Sequence, residues 1–351
     1  LQTLDPDIIA LQEHSDWNYI DDVIQSWFPN EQWHASWTYR DLVILSRFPI
    51  LNDAIMISSE RTMVALLDTE DELGNNLLIF NSHLSCCANN EDRQEQVDEF
   101  AGSWRDWIID GVGPFELENA TPFLHVGDFN YVGYRQQVET IRVGDILDEN
   151  EYGIDFMPDW DSTAIVELFP RQSHKRMGYT WRSDGSSFNP GKLDYIFYSD
   201  ATIDSGKNYI LNTLAMEDSV LESYNLHWND TQEASDHLPL VFDILINTDV
   251  GINSSRSIIE SPILYPNYPN PFNSNTKITI YIPNLLDIEL SIIDILGNTI
   301  KKLNQDKKPK GIYTINWDGT NNSGFNMPSG VYFILLQTNK TILKKKIILI
   351  K

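Results

Sequence analysis

Four short apolar runs constrain the fold of this chain more than any other feature. Residues 77–84 (Leu-Leu-Ile-Phe-Asn-Ser-His-Leu) and 123–130 (Phe-Leu-His-Val-Gly-Asp-Phe-Asn) are near-continuous apolar segments that turn polar at their C-terminal ends. Residues 192–198 and 235–242 are inverted: Lys-Leu-Asp leads into Tyr195, and Ser-Asp-His leads into Leu238. Runs of this kind read as strands buried on both faces. Their ionisable groups reach one common rim only if the first pair runs antiparallel to the second. That requirement predicts mixed or antiparallel sheets and excludes a doubly wound parallel sheet.

Helical spacing appears between the runs. Trp17, Ile20, Val23, Ile24, Trp27 and Phe28 line one face of residues 16–28, with Ser15 or Asp16 as a cap. Val97, Phe100, Ala101, Trp104 and Ile108 do the same within 91–109. Helices set against sheets give an α/β sandwich as the natural layered solution.

Charge divides the chain. Residues 261–351 hold 11 Lys and 5 acidic residues, a net of +6, whereas the first 260 hold 14 basic and 46 acidic residues, a net of −32. Opposite signs predict two domains. The expected division is a catalytic domain over 1–246, a polar linker over 247–261, and a second domain over 262–351 that opens with Pro262, Pro266, Pro269 and Pro271. The strong negative balance argues against a dedicated polyanion binder. No apolar run approaches the roughly 18 residues that a membrane-spanning helix needs.

The chemistry-bearing residues cluster at predicted strand ends. The run 6–14 delivers Glu13; the others deliver His83, Asp128, Asn130, Asp194, Asp236 and His237. Carboxylates and an amide oxygen suit Mg²⁺, with Mn²⁺ or Ca²⁺ as alternatives, and two histidines without a thiolate cluster do not make a zinc site. Seen singly, each aspartate reads equally well as a turn residue and each histidine as a satisfied core residue; their convergence on one rim favours a site.

These residues fall in an order that resembles the endonuclease/exonuclease/phosphatase superfamily: Leu11-Gln12-Glu13, Ser82-His83-Leu84, Gly127-Asp128-Phe129-Asn130, Leu193-Asp194-Tyr195 and Ser235-Asp236-His237-Leu238-Pro239. Residues 44–50 resemble the family's second-strand pair, and Arg93 with Gln96 its helix after the histidine motif. The resemblance covers about residues 1–246. It implies a four-layer α/β sandwich with two mostly antiparallel sheets and a phosphoesterase activity. It further implies Glu13 and Asp236 as metal ligands, and Asp128 orienting or deprotonating the attacking water with Asn130 beside it. His237 would be oriented by Asp194, and His83 would protonate the leaving oxygen. The family's first strand, which ends in an asparagine, has no counterpart here. The chain also starts with Leu1, so a processed or partial chain is expected, weakly active or unstable over residues 1–351 alone.

The implied reaction is phosphodiester hydrolysis, on extracellular nucleic acid or another diester. A sphingomyelinase-like phospholipase or a phosphomonoesterase of the same superfamily is the alternative, and a catalytically inactive surface-binding protein the rival of a different class. For substrate binding, Arg171, Lys175 and Arg176 read as a phosphate cradle or a solvated loop, and Trp181 as a stacking platform or a core aromatic. Cys86 and Cys87 are adjacent and form no disulfide framework; they read as two packed thiols or one strained bridge beside the site.

In the C-terminal region, strand-like runs at 277–282, 289–293, 313–317, 331–337 and 346–350 alternate with turn signals, which predicts a small Ig-like β-sandwich. Pro269-Asn270-Pro271-Phe272-Asn273, Gly311-Ile312-Tyr313, Trp317-Asp318-Gly319, Ser329-Gly330-Val331-Tyr332-Phe333 and the basic tail from Lys344 resemble the C-terminal sorting domain of type IX secretion, related to flagellar hook-capping proteins. That resemblance implies recognition by the type IX machinery and a protein that is secreted, or attached to the outer-membrane surface, by way of the periplasm. Residues 318–324 lack the closing Glu of a calcium loop and read as a turn.

Overall fold

The computed structural model describes residues 1–14, 19–38, 40–246, 262–265, 267, 269–339 and 341–351. The expected linker over 247–261, and the expected cap at Ser15 or Asp16, lie outside the described residues. The chain divides into two compact units, Leu1–Ile252 and Asn253–Lys351.

The first unit contains strands β1 (Ile8–Leu11), β2 (His34–Trp37), β3 (Val43–Ser46), β4 (Ile50–Ile55), β5 (Thr62–Leu67), β6 (Leu77–His83), β7 (Phe123–Asp128), β8 (Val166–Glu167), β9 (Asp194–Tyr198), β10 (Ile203–Ile210) and β11 (Leu240–Ile246). Six of them form a mixed sheet in the order β4-β5-β6-β7-β9-β8. Only β6 and β7 pair in parallel, and β7 pairs with β9 antiparallel. This is the reversal that the polarity of the runs predicts. The second layer is built from two separate antiparallel ladders, β1-β3-β2 and β10-β11, rather than one continuous sheet.

Period-two burial assigns each strand face to a layer. In β6, Leu77 and Ile79 join a central apolar cluster with Leu42, Ile44, Met63, Ala65, Leu124 and Ile196, against which Ile8, Phe242 and Ile244 pack. The alternate residue Phe80 packs edge-on against Phe100 and Trp104 of helix α2 (Asn90–Asp110). Val43 and Leu45 of β3 face away from that central cluster, onto Ile20, Ile24 and Phe28 on and beside α1 (Ile20–Trp27). Helix, second layer, six-stranded sheet and helix therefore stack in four layers, and both strands of the parallel pair are covered on both faces.

The second unit holds β12 (Ile263–Leu264), β13 (Thr276–Ile282), β14 (Leu286–Ile293), β15 (Thr299–Lys308), β16 (Gly311–Trp317), β17 (Gly330–Thr338) and β18 (Ile342–Leu349). They form two antiparallel sheets, β12-β13-β16 and β15-β14-β17-β18. Ile278, Ile280, Leu290, Ile292, Trp317, Ile334, Leu336 and Ile347 fill the core between them. The Asp318 carboxylate accepts hydrogen bonds from Lys301 Nζ (2.7 Å) and Thr320, so residues 318–324 are a tied-down turn, as their sequence predicts.

Candidate active site

Strand register assembles the centre of the site. The parallel pairing of β6 with β7 sets His83 opposite Asp128, and the antiparallel pairing of β7 with β9 sets Asp128 opposite Asp194. Three functional side chains thus end up in one row across neighbouring strands. A bridge between Trp181 and His237 brings the Ser235–Leu238 segment to the same row. Toward the second layer, buried Asn81 of β6 donates to the carbonyls of Leu11 and Val43 (both 3.0 Å), and Gln12 donates to Asn81 Oδ1 (2.6 Å). Those bonds fix the turn that presents Glu13, an exposed residue at φ 59°.

Two imidazole–carboxylate pairs flank Asp128. His237 Nδ1 lies 2.9 Å from Asp194 Oδ2, with Nε2 3.9 Å from Asp128. On the other side His83 Nδ1 lies 2.6 Å from Asp41 Oδ2, and its Nε2 lies 3.7 Å from both Glu13 and Asp128. Each ring nitrogen facing away from Asp128 is occupied by a carboxylate, which fixes the ring and leaves Nε2 for the centre. Asn130, at φ 52°, donates its backbone N–H to Asp128 Oδ1 and its amide to Asp128 Oδ2 (2.9 Å each), and the same amide reaches Leu84 O (3.1 Å).

The electrostatics follow from burial and charge. Burial, then the neighbouring Asp194 carboxylate, pushes Asp128 up to about 6. Burial would lower the His237 imidazole, but its hydrogen bond to Asp194 and the charges of Asp194, Asp128 and Asp236 outweigh that and raise it to about 9. Burial would raise Asp41, yet the His83 hydrogen bond and the charges of His83, Arg61 and Arg40 hold it below the usual carboxylate range.

Asp41 is the functional residue that the sequence reading missed. It follows the same polarity rule as Asp194, an acid immediately ahead of the apolar run Leu42–Leu45, and that rule would have found it. Trp181 donates its indole N–H to Asp236 Oδ2 at 2.9 Å, so one edge of the ring holds a site carboxylate. Arg171, Lys175 and Arg176 are exposed, and no hydrogen bond or ion pair among the described residues ties them to Asp128, Asp194 or His237. Cys86 and Cys87 are free and exposed, which corrects the expectation of packed thiols or a bridge.

Ligand atoms of Asp128, Asp194 and His237 lie within 4.8 Å of one another. The two carboxylates, Asp128 beside Asp194, supply hard oxygen ligands of the kind a divalent cation takes. Glu13 and Asp236 add carboxylates at the rim.

A four-layer α/β sandwich carrying an acidic, oxygen-rich site between two histidines at its strand ends defines a metal-assisted phosphoric ester hydrolase. The chain belongs to the Endonuclease/Exonuclease/phosphatase family, whose model matches residues 1–237, and residues 271–341 match the FlgD Ig-like domain. Similar solved structures include the human Nocturnin catalytic domain with bound sulfate (16% identity, covering 69% of this chain and 82% of that one, TM-score 0.42). Another is D. rerio TDP2 complexed with single-strand DNA product (14%, 68% and 86%, TM-score 0.42). A third, dimeric latent PorU from Porphyromonas gingivalis, is similar over 32% of this chain and 11% of its own, at 18% identity and TM-score 0.22. No curated protein is similar enough to match.

Proposed function

We propose that the chain is a secreted, Mg²⁺-dependent phosphodiesterase that hydrolyses a P–O bond by in-line attack of water. The observation that carries this reading is the suspension of Asp128 between the His83–Asp41 and His237–Asp194 pairs, with Asn130 fixing its carboxylate. Such a carboxylate, ionised above about pH 6, can orient and deprotonate a water. Protonated His237 beside it presents a positive Nε2 to a phosphate oxygen. Across the carboxylate, 3.7 Å away, His83 Nε2 would give a proton to the leaving oxygen. Glu13, Asp236 and the Asp128 carboxylate are the residues that would hold the cation, which when bound neutralises phosphate charge.

The test is hydrolysis of bis(p-nitrophenyl) phosphate by the full chain with Mg²⁺, followed by a panel of DNA, RNA, sphingomyelin and phosphomonoesters. Diester turnover that a chelator abolishes supports the reading. No Mg²⁺-dependent turnover on any of these would overturn it and favour an inactive surface binder.

For destination, the reading rests on the FlgD-type module and its basic tail: we infer that residues 262–351 are read by a type IX secretion machinery. Deleting them should abolish export while leaving hydrolysis in the cell extract. Continued export would overturn that part.

A further inference from the structure

We propose that Cys86 and Cys87 are a redox-modification site, a vicinal dithiol that a small-molecule disulfide closes into a ring, and that closure unlocks the turn supporting His83 and Asn130. Both thiols are free and exposed, on the turn between β6 and α2, three and four residues beyond His83. They are adjacent in the chain, so the second thiol stands beside the mixed disulfide formed on the first.

The backbone there leaves little slack. Cys87 sits at φ 65°, a left-handed conformation uncommon outside glycine. Its carbonyl accepts from Arg93 Nη2 at 3.1 Å. Arg93 is fully buried, and its guanidinium also grips Ser85 O and Asn90 Oδ1, so two of its three acceptors come from this turn and the third from the first residue of the helix that follows. Gln96 holds both the N–H and the hydroxyl of Ser85. One residue earlier, Leu84 donates to Asp128 O, and Leu84 O accepts from the Asn130 amide that fixes the Asp128 carboxylate.

Closing the ring collides with this arrangement. Adjacent Cα atoms lie about 3.8 Å apart across a trans peptide, whereas disulfides span roughly 4.4–6.8 Å. The Cys86–Cys87 peptide must therefore distort, turning the backbone at Cys87, already at φ 65°, and so displacing the carbonyl of the following peptide, Cys87 O, which Arg93 holds. A buried guanidinium does not surrender an acceptor cheaply, so the shift passes to Ser85 and Leu84. The strained ring is readily reopened by thiols. The chemistry balances: Cys86 attacks a disulfide RSSR and releases one RSH, then Cys87 attacks the mixed disulfide and releases the second. The protein pair loses two electrons and two protons, and RSSR is reduced.

The effect on turnover rests on the phosphodiesterase reading; the modification does not. The experiment incubates the full chain with oxidised glutathione at about pH 8.5, an alkaline pH that favours the attacking thiolate. Intact mass and peptide mapping follow ring formation, hydrogen exchange follows residues 84–96, and bis(p-nitrophenyl) phosphate with Mg²⁺ follows activity. The expected result is a loss of two hydrogens without adduct, faster exchange over 84–96, and a fall in turnover on the order of tenfold, all reversed by dithiothreitol. The Cys86→Ser/Cys87→Ser variant should keep the basal rate and ignore the oxidant. Stable glutathione adducts or crosslinked dimers in place of the ring would overturn the proposal, as would a ring that leaves exchange unchanged. Ring formation with faster exchange, in a chain inactive in both redox states, would support this site and sink the hydrolase reading alone.

Discussion

His83 Nδ1 sits 2.6 Å from Asp41 Oδ2, mirroring across Asp128 the bond between His237 and Asp194. The two carboxylates come from different layers, Asp41 ahead of β3 and Asp194 at the start of β9. The duplication means that neither imidazole is free to change tautomer. Asp41→Asn keeps the shape of the pair but offers no charge to orient or stabilise the ring. It should lower kcat by about 10- to 100-fold with little change in KM. Steady-state kinetics on the diester checks this; an unchanged kcat would reduce the His83–Asp41 pair to a structural contact.

Asp128→Asn separates chemistry from stability. The variant cannot accept a proton from water, and kcat should fall by roughly 10²- to 10⁴-fold. It also removes a buried charge that burial and Asp194 disfavour, while setting an amide against one of the two donors of Asn130. These effects oppose one another, so stability measured by urea unfolding in chelator should change by no more than about 1 kcal/mol. A loss of several kcal/mol would mean that Asp128 is primarily structural.

The core of the site was legible because side-chain polarity along a strand survives in the sequence. His83, Asp128 and Asp194 were readable from the ends at which their runs turn polar, and register then sets them in one row. β15 was not legible: its sequence Thr-Ile-Lys-Lys-Leu-Asn-Gln-Asp-Lys-Lys lacks apolar alternation because it is an edge strand, where lysines face solvent. The exposure of Cys86 and Cys87 was hidden for another reason. It goes with the grip of Arg93, six residues further on, on a turn at Cys87 in the left-handed region, which no apolar periodicity encodes.

The raised pKa of His237 makes stability depend on pH in the metal-free chain. The folded value is about 9 against an ordinary 6.5, so folding favours the protonated ring. Its contribution is complete below about pH 6.5 and is lost as pH rises through about 9. The size is on the order of 2–3 kcal/mol. Unfolding midpoints measured in chelator should fall across that window, and Asp194→Asn should flatten the decline. A midpoint constant from pH 6.5 to 9 would show that His237 is not held as an imidazolium.

Gly127 precedes Asp128 for a steric reason that tests the placement of the whole row. Its φ is 134°, and a Cβ there would lie 2.0 Å from Ser82 O and 2.8 Å from Ser82 N. Those atoms are backbone of the neighbouring strand β6, paired with Gly127 in register. No side-chain rotation relieves such a clash; the strands must part or the pairing must slip. Parting them would carry His83 away from Asp128, which the same ladder sets side by side. Gly127→Ala should therefore cost about 3 kcal/mol or more in urea unfolding and remove most activity in whatever fraction still folds. A Gly127→Ala chain as stable and active as the parent would show that the β6–β7 register does not position the site.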